Sequence, residues 1–105
     1  MAVIKIKDFN LAVWHKIREI PSGRVTSYGQ VAKAINYPGR ARAVGNALGR
    51  NPFAPGVPCH RVVKSDGGLG GYSRGLEKKI NLLKKEGVEI KNKKIVKFDE
   101  IFYKF

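Results

Sequence analysis

The sequence predicts a mostly α fold with one small β hairpin, and three observations predict it. Apolar residues recur at helical spacing in four separate runs, short turn signals divide those runs, and a glycine turn at Asp66-Gly67-Gly68 separates Val62-Val63 from Leu69-Gly70-Gly71-Tyr72. With 105 residues, of which 43% are hydrophobic, the chain has material for one modest core, so a single domain over residues 1–105 is expected.

The first helix is expected to start at Asp8 as its cap and to bury Phe9, Val13, Trp14, Ile17 and Ile20, with Pro21 and Gly23 ending it. After the short β-branched piece Arg24-Val25-Thr26, Ser27-Tyr28-Gly29-Gln30 reads as a capping box that opens a second helix. This helix runs to about Asn36 with Val31, Ala32 and Ile35 inward. Pro38-Gly39 then turns the chain into a third helix, about Arg40 to Leu48, that buries Ala41, Val44 and Leu48. Two short helices on a short turn suggest a helix-turn-helix. The third helix otherwise carries Arg42, Ala43, Gly45, Asn46 and Ala47, small or cationic side chains that allow close approach to a groove. Three prolines between Asn51 and Pro58 make a loop, which delivers Cys59-His60-Arg61-Val62-Val63 as a strand; Leu69 to Tyr72 returns as the second strand of a wing. Leu76, Ile80 and Leu83 mark a fourth helix capped by Gly87. From Val88 to Phe105 the pattern alternates around Asn92-Lys93, equally a weak hairpin or a tail.

Charge gives the first functional clue. The net charge is +13, yet all eight acidic residues lie outside Ile20 to Ser65, where Arg24, Lys33, Arg40, Arg42, Arg50, Arg61 and Lys64 stand unopposed. Arginine's planar fork suits phosphates and base edges, so a polyanion is the expected partner. Scattered lysines alone would indicate only solubility, and a basic membrane-surface helix would need a wide Leu/Phe face beside these arginines. The single cysteine excludes an intrachain disulfide framework and a multi-cysteine zinc site. No segment reads as a signal peptide or a membrane span, so a cytoplasmic protein without membrane association is expected. No cofactor and no metal site is expected; His15 reads as a surface residue.

Cys59 and His60 are adjacent, and on an extended segment neighbouring side chains point to opposite faces, so any activation of the thiol runs through an intermediary. A water held by His60 can take the thiol proton, and a carboxylate behind the imidazole fixes its tautomer. The plainer reading is that a lone cysteine beside a proline is inert packing.

Val57-Pro58-Cys59-His60-Arg61-Val62-Val63 resembles the active-site motif of the O6-alkylguanine-DNA alkyltransferases. Gly23 to Gln30, Ala41-Arg42-Ala43-Val44-Gly45 and Gly49-Arg50-Asn51-Pro52 resemble that family's other signatures in order and spacing, as do Gly71-Tyr72-Ser73 and Leu82 to Gly87 downstream. The resemblance covers about Phe9 to Val88. It implies a winged helix-turn-helix domain, monomeric, that binds double-stranded DNA through the minor groove and flips an O6-alkylated guanine into a pocket. Cys59 is then the alkyl acceptor, used once, with His60, a water and Glu86 as the relay that generates thiolate. Tyr28 protonates N3 of the leaving guanine and Asn51 braces the loop. The resemblance places Arg42 as the finger that fills the vacated stack, and Ala41, Ala43, Gly45, Arg50, Thr26 and Ser27 at the DNA. Leu48 and Tyr72 form the apolar wall, and backbone groups at Cys59, Val62 and Ser73 read the base edge. Arg74 lies where the family often has glycine, and its bulk is expected to restrict large adducts.

Taken singly, Tyr28 is an ordinary first-turn aromatic, Glu86 a helix-end carboxylate, Asn51 a turn residue and Arg42 a phosphate contact; their joint occurrence favours the alkyltransferase reading. Many family members carry a separate N-terminal domain, whereas this chain begins almost directly at the catalytic one. Three rivals stand beside it. An alkyltransferase-like lesion binder shares the domain but typically has tryptophan at the Cys59 position, a winged-helix transcription regulator would not need Cys59, and a cysteine hydrolase would turn over repeatedly.

Overall fold

Helix α1 (Ile6–Ile17) opens the part of the chain that the computed structural model describes, residues 6–105, with the side chain of Ile6 excepted. Residues 1–5, part of the N-terminal stretch that does not read as a signal peptide, lie outside it. Asp8 sits in the first turn of α1 and is not its cap, because the helix begins two residues earlier. Phe9, Val13 and Ile17 follow at intervals of four and are buried, as the spacing predicts. The helix stops at Ile17; Ile20, expected as its last buried position, lies in the following turn and is also buried. The Trp14 indole donates to the Ala47 carbonyl at 2.8 Å and ties α1 to the next bundle helix but one.

Strand β1 (Thr26–Ser27) leads directly into α2 (Tyr28–Ala34), whose first turn is capped by Ser27 Oγ accepting from the Gln30 amide at 3.1 Å. Helix α2 ends two residues short of the expected Asn36, because Asn36 takes a left-handed conformation that turns the chain toward α3 (Ala41–Gly49). Helix α3 buries Val44, Ala47 and Leu48; Ala47 takes the core position expected of Ala41, which is half-buried.

The expected strand at Cys59 divides in two. Cys59–Arg61 is a single 3-10 turn, and only Val62–Val63 forms strand β2, paired in parallel with β1 (Thr26 opposite Val62, Ser27 opposite Val63). Leu69 to Tyr72 does not return as a strand, so the expected antiparallel wing over 62–72 is absent. A turn closed by Lys64 N–H to the Gly68 carbonyl replaces it, and glycines at 67, 68, 70 and 71 leave no side chains for a second ladder. Helix α4 (Leu76–Lys85) ends where Gly87 adopts φ +89°, with the Val88 amide reaching back to Leu83.

The ambiguous C-terminal stretch is a hairpin, β3 (Ile90–Lys91) and β4 (Lys94–Ile95), followed by α5 (Phe98–Ile101), which the sequence did not suggest. Beyond α5 the chain runs beside Val25, whose amide donates to Ile101 O and whose carbonyl accepts from Tyr103. The alternation of β2 divides the interior. Val62 packs with α1, α2, α3 and Cys59, whereas Val63 packs with Val25, Leu69, Leu83, Val88 and Ile95.

Candidate active site

Because Ser27 both caps α2 and pairs with Val63, the β1–β2 ladder fixes Tyr28, the first residue of α2, relative to Cys59, three residues before Val62. Both residues border a cavity of about 340 Å³ lined also by Gly45, Leu48, Tyr72 and Ser73. This size suits a small planar ligand. Cys59 is 3% exposed, a thiol at the floor of a cavity that opens outward. Val62, expected to offer its backbone to the base edge, and Arg74, expected beside the pocket, are not among the lining residues: the Val62 side chain is wholly buried in the core, and Arg74 is exposed.

The 3-10 turn, and not strand alternation, separates Cys59 from His60. His60 Nε2 lies 2.9 Å from Glu86 Oε2, and Arg61 holds the same carboxylate from Nε at 2.9 Å and from its terminal nitrogen at 2.6 Å. Arg61 also donates to the Ile20 carbonyl, so α1's end, the nucleophile turn and the end of α4 meet at one guanidinium. Burial alone would raise the Glu86 carboxyl, but the Arg61 and His60 hydrogen bonds and charges outweigh it and hold it below the usual carboxylate value. Burial pushes His60 below its ordinary value despite Glu86 beside it, so the imidazole is neutral at neutral pH. An ionised carboxylate only accepts, hence Nε2 carries the hydrogen and Nδ1 presents its lone pair. Nδ1 is buried and has no hydrogen-bond partner among the described residues.

Asn51, itself buried, donates to Val57 O at 3.0 Å and accepts from the Phe53 amide at 2.9 Å, spanning the proline loop that leads to Cys59. Burial raises the Tyr28 phenol, the Cys59 charge adds to this, and a backbone hydrogen bond from Gly71 opposes it. Burial raises the Tyr72 phenol likewise, with Cys59 contributing. Both hydroxyls therefore keep their protons at neutral pH.

Lys79 was invisible as a site residue in the sequence, yet it is fully buried and donates to Val62 O at 2.8 Å and Gly71 O at 3.0 Å. Its ammonium stands 5.9 Å from the Tyr28 ring centroid. Burial lowers its pKa to about 8, with Cys59 pulling the other way. A signal did exist: Lys79 falls on the stripe Leu76, Ile80, Leu83 that faces the core, where a lysine without a buried partner is costly. Arg61 was counted only as one cation of the basic segment, and no local pattern announces its hold on Glu86.

Ala41, Arg42 and Gly45 on α3 line a second groove of about 390 Å³ together with Tyr28, Gly70 and Gly71, and Arg42 is exposed there. Arg50 is exposed at the end of α3. Ala43 turns toward the core instead, because it lies on the half of α3 that packs inward. Thr26 is fully buried and Ser27 nearly so, its hydroxyl committed to the α2 cap, so neither side chain is presented at the surface as expected. Among the described residues no cluster of metal-ligating side chains occurs, and no helix is long and apolar enough to cross a membrane.

A small, mostly helical domain with a thiol at the floor of a cavity, a histidine–carboxylate pair behind it and a cationic helix face in front is the class of protein defined here. The chain belongs to the family described as 6-O-methylguanine DNA methyltransferase, DNA binding domain, which it matches over residues 8–88. It is 50% identical over 80 residues to a methylated-DNA--protein-cysteine methyltransferase of Methanosarcina acetivorans, covering 76% of this chain and 51% of the relative. To the protein of that name from Salmonella typhimurium it is 49% identical over 79 residues, covering 75% and 46%. The chain thus spans about half the length of these curated relatives. Among solved structures, Mycobacterium tuberculosis OGT in complex with DNA is similar at TM-score 0.74 and 49% identity, over 75% of this chain and 49% of that one. Atl1 of S. pombe, in complex with damaged DNA containing O6-carboxymethylguanine, is similar at TM-score 0.88 and 30% identity, over 97% of this chain and all of that one.

Proposed function

We propose that this protein repairs O6-alkylguanine in double-stranded DNA by transferring the alkyl group to Cys59 once, acting as a monomeric helix-turn-helix domain. The observation that carries the reading is that Cys59 and Tyr28 border one cavity of about 340 Å³, while His60, the next residue in the chain after Cys59, is paired with Glu86 at 2.9 Å. Helix α3 enters the minor groove, the lesion leaves the stack at a cost of about a few kcal/mol, and Arg42 fills the hole. His60 Nδ1 accepts the thiol proton through one water, and Glu86 stabilises the imidazolium formed. The thiolate sulfur bonds to the alkyl carbon as the carbon–O6 bond breaks, and the Tyr28 phenol, kept protonated by its burial, donates to N3 of the guanine as negative charge leaves. A thioether offers no leaving group for reversal, so each molecule acts once.

The second reading, lesion binding without transfer, is favoured by the likeness to Atl1 along nearly the whole chain. Intact-protein and peptide mass spectrometry after incubation with a duplex containing O6-methylguanine separates the two. One CH₂ gained at Cys59 with guanine restored supports transfer; tight lesion binding without mass gain supports the second reading.

A further inference from the structure

The β3–β4 hairpin lies beyond residue 88, where the family match ends, and its tip is built against its own stability. Lys91 and Lys94 stand directly opposite each other in the antiparallel register. Like charges in that position destabilise a hairpin. Between them Asn92 and Lys93 have φ of +53° and +60°, a two-residue turn for which glycine, not lysine, is the favoured second residue. Lys97 follows, also with positive φ. All four lysines are exposed, and among the described residues no carboxylate lies within ion-pair distance of any of them. The nearby acids are Glu89 at the foot of the hairpin, Asp66, which feels both Lys64 and Lys94 from the adjacent turn, and Asp99 and Glu100, which border one cavity with Lys97 and Asp66. The acids thus gather around Lys97, and the tip itself, Lys91, Lys93 and Lys94, is positive.

The base of the hairpin is rigidly held. Ile95 is buried, its amide donates to Gly67 O at 2.9 Å, and Lys94 bridges to Gly68. Two residues beyond Gly68, Gly70 lines the groove that holds Ala41, Arg42 and Gly45 of α3. Two residues of chain span at most about 7 Å, so the base of the hairpin, at Lys94, is anchored beside the groove of the helix assigned to DNA.

We propose that the β3–β4 hairpin is a second DNA-backbone contact, in which Lys91, Lys93 and Lys94 seat on phosphates beside the site entered by α3. Resting on the DNA-binding reading above, this gives the cost of the tip a cause: phosphates relieve the repulsion between Lys91 and Lys94. The hairpin takes the part of the wing that the glycine turn at 66–68 does not form.

The test measures the salt dependence of binding of the full chain to an undamaged duplex, for the wild type, for the variant with Lys91, Lys93 and Lys94 changed to alanine, and for the variant with the same three changed to arginine. Each phosphate neutralised adds about 0.9 to the slope of log K against log salt. Expected is a slope shallower by about 2 or more in the alanine variant, a wild-type slope in the arginine variant, and melting lowered in neither. A smaller change in slope with wild-type DNA binding intact, or a lost slope accompanied by lowered melting, overturns the hairpin contact and leaves the α3 reading standing. Absence of DNA binding by the wild type itself overturns both.

Discussion

Replacing Lys79 with methionine tests whether the buried ammonium organises the site or only fills the core. Two carbonyls, Val62 O and Gly71 O, lose their donor, at about 1–3 kcal/mol each when left buried and unpaired. Against this, the fall of the Lys79 pKa from 10.5 to about 8 corresponds to roughly 3 kcal/mol disfavouring the charged form in the folded protein, a cost that methionine does not carry. The two nearly offset, so stability at pH 7 should fall by no more than about 3 kcal/mol. Transfer should suffer far more, because Lys79 joins β2 to the segment carrying Gly71 and stands against Tyr28, and a displacement of about 1 Å in a reacting group costs about a hundredfold. The unfolded chain holds the Lys79 proton up to about pH 10.5 whereas the folded one releases it near 8, so the wild type gains stability across that window. Denaturant titrations at pH 7 to 10, with single-turnover transfer to Cys59, read both effects. Transfer within twofold of wild type, or stability curves that stay parallel between pH 8 and 10, would refute the assignment.

Glu86→Gln should slow transfer by about 10²–10⁴, the usual worth of a general base, because the imidazole loses the carboxylate that fixes its tautomer; Cys59 methylation followed over time measures it. Acidification should destabilise the wild type. The folded pKa values of His60 and Glu86 both lie below their ordinary ones, so the unfolded chain takes up protons first and stability declines as pH falls below about 6.5 and again below about 4.5, which melting against pH will show. Gly70→Ala forces an L residue to φ +71° and drives its Cβ into the Tyr28 hydroxyl, so it should cost about 1–2 kcal/mol and slow transfer, whereas Gly71→Ala meets open space and should be near neutral in denaturation. Arg42→Ala should weaken lesion repair more than binding to undamaged duplex; equal losses in titration and transfer assays would make Arg42 a phosphate contact only.

Local rules made most of the helices legible. The Ser27 cap of α2, the apolar stripe Phe9, Val13, Ile17 and the terminator Gly87 each act within a turn or two of chain, and the structure shows each where the spacing puts it, with only the Ser27 half of the expected capping box formed. What was not legible depends on contacts distant in sequence. Val62-Val63 has strand composition, but nothing in it says that its partner is Thr26-Ser27, 36 residues earlier, and parallel to it. The wing was misplaced for the same reason: Asp66-Gly67-Gly68 does turn, yet the ladder of an antiparallel hairpin forms instead at Asn92-Lys93, where isoleucines rather than glycines flank the turn and Ile95 has a core to enter.

The site divides along the same line. Cys59 and His60 were named from their chemistry, and Tyr28 and Glu86 from the resemblance to the alkyltransferase motifs, whereas the residues that hold them in place, Arg61 and Lys79, have no chemistry of their own to announce. Each is a cation placed where an unpaired charge would be costly, and each joins segments that are remote in the chain: Arg61 links Ile20 to Glu86, Lys79 links Val62 to Gly71. The basic segment was therefore read too simply as a single surface facing a polyanion. Of its seven cations Arg61 is turned inward to Glu86 and Arg24 to the carbonyls of Ile101 and Phe102, while exposed lysines on the C-terminal hairpin, outside that segment, supply positive charge at the surface.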